Sequence, residues 1–504
     1  MATAFVYAAA VDGARAQSSI DRPQLNSSRD PWRGQRAVSG AAQANTATSA
    51  TADASVGDTG FDATGGGKKK KPKSKPGDPH PAPRAKPVPP PPTGGRNGAP
   101  QVAARASYAD AYKPLDAPLR RPRPPLVDPY EAPGLRVGTF LLRPTIEVSR
   151  GVDSNPAHLP GRGGSGFTFL DSTLSARSQW SRHEAGLDLR GSYSDYDSAS
   201  ASNRPLVDAK AYTRIDVTRD TNVNVEGRYL LSTDYPGSPN LPVDIAKLPI
   251  FNTFGGSVGL TQRFNRLELS AKATVDRTAY QDSKLTDGTT SSNHDRDYNQ
   301  YGGAVRAGYE VLPGMKPFVE VSADTRRHDL AFDRNGFQRD SSAITPRVGT
   351  TFAFAGKLIG EVSVGYLTRE FKDPALQDLS GVVADASLVY AATGLTTATL
   401  TASSRGEEIV VAGASGALRR DVGLQIDHAF RRWLIGTLRF GYGHDDYVGL
   451  DRVDNRTSLG AAITYKLNRY MSLKGEYRHD TLRSNVSGVD YNANVFLAGL
   501  KLQR

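Results

Sequence analysis

Residues 140 to 153 read FLLRPTIEVSRGVD, and this stretch decides the fold. Phe140, Leu142, Pro144, Ile146 and Val148 are apolar, while Arg143, Thr145, Glu147 and Ser149 between them are polar or charged. Side chains of a strand point alternately to opposite faces, so the segment has one apolar and one charged face. From here to Arg504 the chain repeats strands of this kind, with no helical periodicity and no second apolar layer between them. A sheet that is apolar on one side with no protein to cover it needs lipid as its partner. It must then be a closed barrel, because an open edge in hydrocarbon leaves backbone groups unpaired.

The outward set reads strand by strand as Leu187 and Leu189, Ile215 and Val217, Leu267 and Leu269, Val319 and Val321, Val348 and Phe352, Val362 and Val364, Leu438 and Phe440, Leu459 and Ile463. The opposite parity begins with Arg143, Glu147, Arg177, Asp188 and Arg190, then Lys210, Arg214, Glu226 and Arg228. It continues with Glu268, Lys272, Arg306, Glu320, Asp324 and Arg347, and ends with Lys474 and Glu476. These are the candidate pore-lining residues. An interior with both signs of charge implies water inside, or a plug. Its arginines either line a conduction path or grip a sugar polymer, or they form paired networks that close the lumen.

Tight connections fall at Trp180-Ser181-Arg182, Arg219 to Asn222, Phe264-Asn265-Arg266, Leu312-Pro313-Gly314, Ala355-Gly356-Lys357, Thr393-Gly394, Phe430 to Trp433 and Leu467 to Tyr470. Longer polar connections separate them: Asn155 to Gly166, Ser194 to Pro205, Ser232 to Asn252, Asp282 to Asp297 and Arg327 to Asp340. Lys372 to Asp378, Arg405 to Gly416, Asp445 to Asn455 and Thr481 to Val489 complete the set. Eight short and nine long connections in alternation predict an all-β, closed antiparallel transmembrane barrel of about 18 strands, 16 to 18. Short turns on one side and long loops on the other are the pattern of bacterial outer-membrane barrels, which puts both chain ends in the periplasm.

Composition agrees. The 504 residues are 38% hydrophobic, and no apolar run reaches the roughly 18 residues a membrane helix needs. Fifty glycines and 21 tyrosines suit barrel strands and aromatic girdles. The chain has no cysteine, so disulfide and thiol chemistry are excluded. Residues 1–135 carry 19 Lys and Arg against 11 Asp and Glu, or +8, which leaves +3 of the total +11 for the remainder. The basic character belongs to the N-terminal segment, whose lysines have no interleaved aromatics, so no nucleic-acid partner is expected.

Residues 1–16, MATAFVYAAAVDGARA, form a degenerate signal-peptide-like segment that ends in Ala14-Arg15-Ala16. Residues 17–135 are rich in Ala, Ser, Gly and Pro, with Lys68 to Lys71 and a proline run over residues 87–92. They predict a disordered arm with some polyproline II, since they bury too little surface to offset chain entropy. The lysines read as a solvated linker, or as an arm that touches an anionic periplasmic partner such as peptidoglycan or the inner leaflet.

The strand containing Leu142-Arg143-Pro144 and its exit Gly151-Val152-Asp153-Ser154-Asn155-Pro156 resemble the start of the putative β-barrel porin 2 family. The resemblance covers residues 136–504, through strand rhythm more than identities. It implies an outer-membrane barrel in a Gram-negative bacterium, assembled by the barrel-assembly machinery and seated in outer-membrane lipid. For some members it also implies a link to exopolysaccharide export. One departure is the C-terminus, Phe496 to Arg504, which keeps the period of two but lacks a final aromatic residue.

Catalytic, metal and cofactor chemistry find no frame here. His294-Asp295, His328-Asp329, His444-Asp445 and His479-Asp480 stand out, but neighbours on a strand point apart, so they read as polar rim residues near the long loops, or as weak cation sites among the acidic loops. His428 reads as an interfacial aromatic near the Phe430 turn, and Glu407-Glu408 as a solvated loop pair. No nucleophile elbow, phosphate loop or zinc helix is present. Two functions remain: a passive channel, including for exopolysaccharide, or an adhesive surface protein whose barrel is only an anchor.

Overall fold

The fold is described from a computed structural model, which covers residues 130–504 apart from Arg162, Val243, Ala355 and Gly356. The signal-like segment and nearly all of the N-terminal arm lie outside the described residues, as does most of the Ala355-Gly356-Lys357 turn. Eighteen long strands follow one another: β1 (Phe140–Asp153), β2 (Ser165–Ser178), β3 (Glu184–Tyr196), β4 (Arg204–Asp216), β5 (Thr221–Thr233) and β6 (Ile250–Phe264). Then come β7 (Leu267–Tyr280), β8 (Tyr298–Tyr309), β9 (Met315–His328), β10 (Ser341–Phe354), β11 (Leu358–Phe371) and β12 (Leu379–Ala391). The last six are β13 (Thr396–Glu407), β14 (Gly416–Arg431), β15 (Leu434–Val448), β16 (Val453–Lys466), β17 (Met471–Ser484) and β18 (Tyr491–Gln503).

Each strand pairs antiparallel with the next. The sheet closes where β18 returns to β1, with Thr145 opposite Gln503 and Asp153 opposite Val495. A short strand, Leu135–Val137, folds back on β1, so that Val137 faces Phe140. Both ends of the barrel sheet lie at the short-turn end, because Gln503 donates its backbone N–H to the Tyr470 carbonyl in one turn, and Gln179 donates to Thr139 in another. The β6–β7 turn holds only Asn265 and Arg266. Asn265 takes φ +55°, a conformation that its side chain tolerates better than most.

The predicted parity holds around the wall. Leu438 is 60% exposed, Ile463 59% and Val319 57%, whereas Arg190, Glu320 and Arg456 on the opposite face are at most 1% exposed. Exposed aromatics gather in two belts. At the short turns Trp180 meets Phe140 edge-on at 5.6 Å, and Trp433 packs on Tyr465 at 5.0 Å. Near the long loops Tyr229, Tyr442 and Tyr477 donate their hydroxyls to Asn252, Asn455 and Asn494 at 2.8, 2.9 and 2.9 Å. Trp433, in the turn just before β15, and Tyr442 on β15 are nine residues apart. At about 3.3 Å per residue and a tilt of roughly 40°, that separates the belts by ~23 Å, close to the apolar band of a bacterial outer-membrane barrel.

Several long connections are shorter than their polarity suggests. β15 runs through His444 and Asp445 to Val448, so the expected 445–455 loop shrinks to residues 449–452. Likewise Ser194 to Tyr196, Arg405 to Glu407 and Thr481 to Ser484 are still strand. The reason is that these strands run on past the lipid band. There neither face need be apolar, and polarity no longer marks the strand end.

Leu438→Arg places a charge midway between the two belts of β15. It should lower the unfolding free energy of the refolded, vesicle-inserted barrel by about 2–4 kcal/mol in denaturant titration, while a substitution at an interface position costs under about 1 kcal/mol.

Candidate functional site

All seventeen candidate inner-wall residues lie on the inner parity, and nearly all are tied to a charge of opposite sign. Between β2 and β3, Arg177 pairs with Asp188 at 2.9 Å and Arg190 with Asp171. Lys210 on β4 reaches Glu226 on β5 at 2.6 Å, Lys272 adds its field to Glu226, and Arg228 Nε donates to Asp276 on β7 at 2.7 Å. Arg214 reaches Asp216 at 3.1 Å and Glu184 at 3.6 Å. Glu268 is shared by Arg263 and Lys316. Arg306 on β8 bridges Glu320 and Glu361, both at 2.8 Å, and packs over the Phe318 ring.

The row continues round the wall with Arg369 on Asp324 at 2.6 Å and Arg347 on Asp385. Further on, Arg439 holds Glu476 at 3.4 Å, and Lys474 bridges Glu476 and Glu147 across the β17–β18–β1 seam at 3.3 and 3.5 Å. Arg143, toward the short turns, has a side chain 38% exposed and meets Glu131 at 3.3 Å. Of the two readings of these arginines, paired networks describe the geometry. The pairs brace neighbouring strands and leave the wall close to neutral along most of its circumference.

The wall alone does not set the bore. The connections after β1, β5, β9 and β13 meet one another at the long-loop end, and the β7–β8 connection joins them through Arg296 on Asp234 and Arg334 on Asp295. Asn240, which belongs to the β5–β6 loop, donates to the Glu408 carbonyl at 3.4 Å and accepts from Val410 N–H at 3.1 Å, although residue 408 follows β13 on the far side of the barrel. Arg339 of the β9–β10 loop donates to the Ile409 carbonyl at 2.6 Å and to Asp333 at 2.6 Å, and Asn335 donates to Val410 at 2.9 Å. On the other side Gly237 packs against His158, whose ring stacks on Tyr491 at 4.6 Å. Ile409 and Ala414 of this layer form an apolar cluster with Ala417 and Tyr447 of the adjoining strands.

Glu408 is therefore not the solvated loop residue that its neighbourhood suggests. Its side chain is 14% exposed, because the loop that carries it turns into the bore, and it accepts from His328 Nε2 at 2.9 Å. Burial alone raises a carboxyl, yet the charges of His328, Arg326 and Arg339 hold Glu408 down at about 2. Glu407 closes β13 and pairs with Arg419 at 3.2 Å. Sequence reading missed Glu408, His328, Asp234 with Arg296 at 2.8 Å, and Arg339 with Asp333. The available signal was Ile409-Val410-Val411, an apolar run inside a loop that lipid does not reach.

The His-Asp dipeptides split as adjacent strand residues must, so two of them are not simple rim pairs. His444 and His479 face outward, each within 2.9 and 2.8 Å of the asparagine that also holds a belt tyrosine. Asp445 and Asp480 face inward, buried against Arg456 and Arg478. His294 sits in a loop beside Asp297, and Asp329 faces Arg277. His428 lies edge-on to Phe430 at 4.7 Å and is bonded to Thr396, as an interfacial ring would be. Among the described residues no group of three or more His, Asp and Glu is placed to hold a metal ion.

The family model described as putative beta-barrel porin 2 matches residues 128–504, the whole of the barrel. The chain belongs to the putative β-barrel porin 2 family. It is a porin-like barrel of the Gram-negative outer membrane. Among solved structures it is similar to OccK2 (OpdF) of Pseudomonas aeruginosa, at 15% identity and TM-score 0.38 over 72% of this chain and 98% of that one. It is also similar to a BenF-like porin from Pseudomonas fluorescens Pf-5, at 13% identity and TM-score 0.39 over 73% and 100%. Similarity at this level does not extend to solute or mechanism. Nothing matches among curated proteins.

Two outcomes check the inner wall. Arg306→Met leaves Glu320 and Glu361 buried without their shared cation and should destabilise the refolded barrel by about 3 kcal/mol in denaturant titration. Glu408 is held below its ordinary value near 4.5, so its stabilisation of the loop layer is present above that pH and lost as pH falls toward 2. Deuterium uptake of residues 408–415, corrected for intrinsic rates, should rise across that window in the native protein and show no such rise in Glu408→Gln.

Proposed function

We propose that the protein is a passive channel for small polar solutes, with the long-loop end outside the cell and both ends of the barrel in the periplasm. The observation that carries this reading is the loop layer. Residues 234–249 and 408–415 meet inside the bore, so the lumen is narrowed by chain rather than left as a wide pore. The layer that narrows the path is braced by buried charge pairs, namely Asp234 with Arg296, His328 with Glu408, and Arg339 with Asp333. The seventeen inner-wall residues line the path below it. Selection is by size first and by polar contact second, since each charge has its counter-charge within reach.

The same layer weighs against adhesion, because loops folded into the barrel project little surface for a partner. It also weighs against passage of a bulky polysaccharide, which must first displace the layer. The barrel's partners under this reading are outer-membrane lipid and the assembly machinery, and the N-terminal arm is free for an anionic periplasmic partner.

Planar-bilayer recording tests the reading. The refolded protein should give steady openings, and replacing residues 236–247 with a short Gly-Ser link should raise single-channel conductance several-fold. A silent bilayer, or a loop deletion with native conductance, contradicts it.

A further inference from the structure

On the lipid-facing side of β3 to β8 the wall is dented. The groove, about 550 Å³, follows two cross-strand rows. The lower row runs Leu187, Ala211, Gly227, Gly256, Val275, each opposite the next. The upper row runs Ala209, Tyr229, Phe254, Arg277, Asn299. Paired glycines weaken a strand and leave a gap where neighbouring positions carry full side chains, so they mark a place where something else approaches the backbone. At Gly227 a Cβ would meet no heavy atom within 4 Å.

The position of the groove decides its occupant. It lies just below the belt of Tyr229 and Phe254, within the lipid band, so its lower part faces acyl chains. Its upper end carries Arg277, whose two Nη groups donate to Asp329 at 2.6 and 2.5 Å and whose Nε–H remains for another acceptor. Beyond Asn299 on the same outward row stands Arg327, opposite Asn299, 58% exposed and tied to Asp340 through one nitrogen. An apolar slot topped by two outward guanidiniums at the belt is complementary to a lipid with a phosphorylated headgroup.

We infer that this groove is a seat for one lipid A molecule of the outer leaflet, with an acyl chain over Gly227 and Gly256 and a phosphate between Arg277 and Arg327. The choice of leaflet rests on the orientation proposed above; the seat itself does not depend on conduction.

Native mass spectrometry of the refolded full-length protein tests it, with hexa-acylated lipid A and phosphatidylcholine as probes. The native chain should retain one lipid A, several-fold more than phosphatidylcholine. Gly227→Leu should cut that retention several-fold, and Ala211→Leu fills the same space if Gly227→Leu does not fold. Gly475→Leu, at an outward glycine on β17 with equally open surroundings, should leave it unchanged. Arg277→Gln with Arg327→Gln should bring lipid A down to the level of phosphatidylcholine. Equal retention of the two lipids by the native chain overturns the inference, as does native retention after the groove is filled or a matching loss in Gly475→Leu. A channel that never opens in bilayers would sink the transport reading and leave this readout unaffected.

Discussion

A peptide N–H or C=O inside hydrocarbon has no water to bond, and each one left unpaired costs several kcal/mol. That constraint orders the rest of the molecule. It requires the first and last strands to meet, and they do along the register from Thr145–Gln503 to Asp153–Val495. Once the sheet is closed, the period of two sends every other side chain to lipid and the rest inward. The one sequence pattern therefore builds the apolar outer band, the charged inner wall and the two aromatic belts together.

Inside, the physics inverts. Arg190, Arg419 and Arg456 are nearly inaccessible, so removing one member of their ion pairs is expensive even where the pair adds little net stability. The pairs instead fix which way long side chains point, and they keep the wall from repelling either sign of solute. Above them the loop layer adds to its own buried ion pairs, Asp234 with Arg296 and Arg339 with Asp333, the backbone carbonyls of residues 408–410 and 415, buried apolar residues and the acid-resistant Glu408 carboxylate. Its contacts bridge parts of the chain about 170 residues apart, a separation that is exceeded at the β1–β18 seam.

The barrel was legible because its signal is local. Alternation in segments such as Phe140 to Asp153 gives each strand, and turn residues such as Asn265 and Gly314 give the short hairpins, so strand number, parity and the seventeen inward residues all follow from short windows. The strand ends were less legible: beyond the lipid band His444 and Asp445 stay in β15 although they read as loop. The meeting of Asn240 with Glu408 was not legible at all. Ile409-Val410-Val411 marks the loop as one that buries itself but names no partner across the bore, and Glu407-Glu408 in isolation looks like any exposed acidic pair. Arg277 and Gly227 carry no local mark for a similar reason, since the groove exists only when six strands lie side by side.

Because the chain contains no cysteine, the seam can be interrogated directly. Val148 lies opposite Leu500, while Leu502 lies opposite Ile146 two residues away. Replacing Val148 and Leu500 together by cysteine and oxidising the membrane-inserted protein should give an intramolecular disulfide, since directly opposed strand positions bring Cα atoms to about 4.5–5.5 Å. Val148→Cys with Leu502→Cys should remain unlinked. Absence of the first cross-link, or its appearance only between separate molecules, would mean that β1 and β18 do not close the sheet, and the barrel account would fail with it.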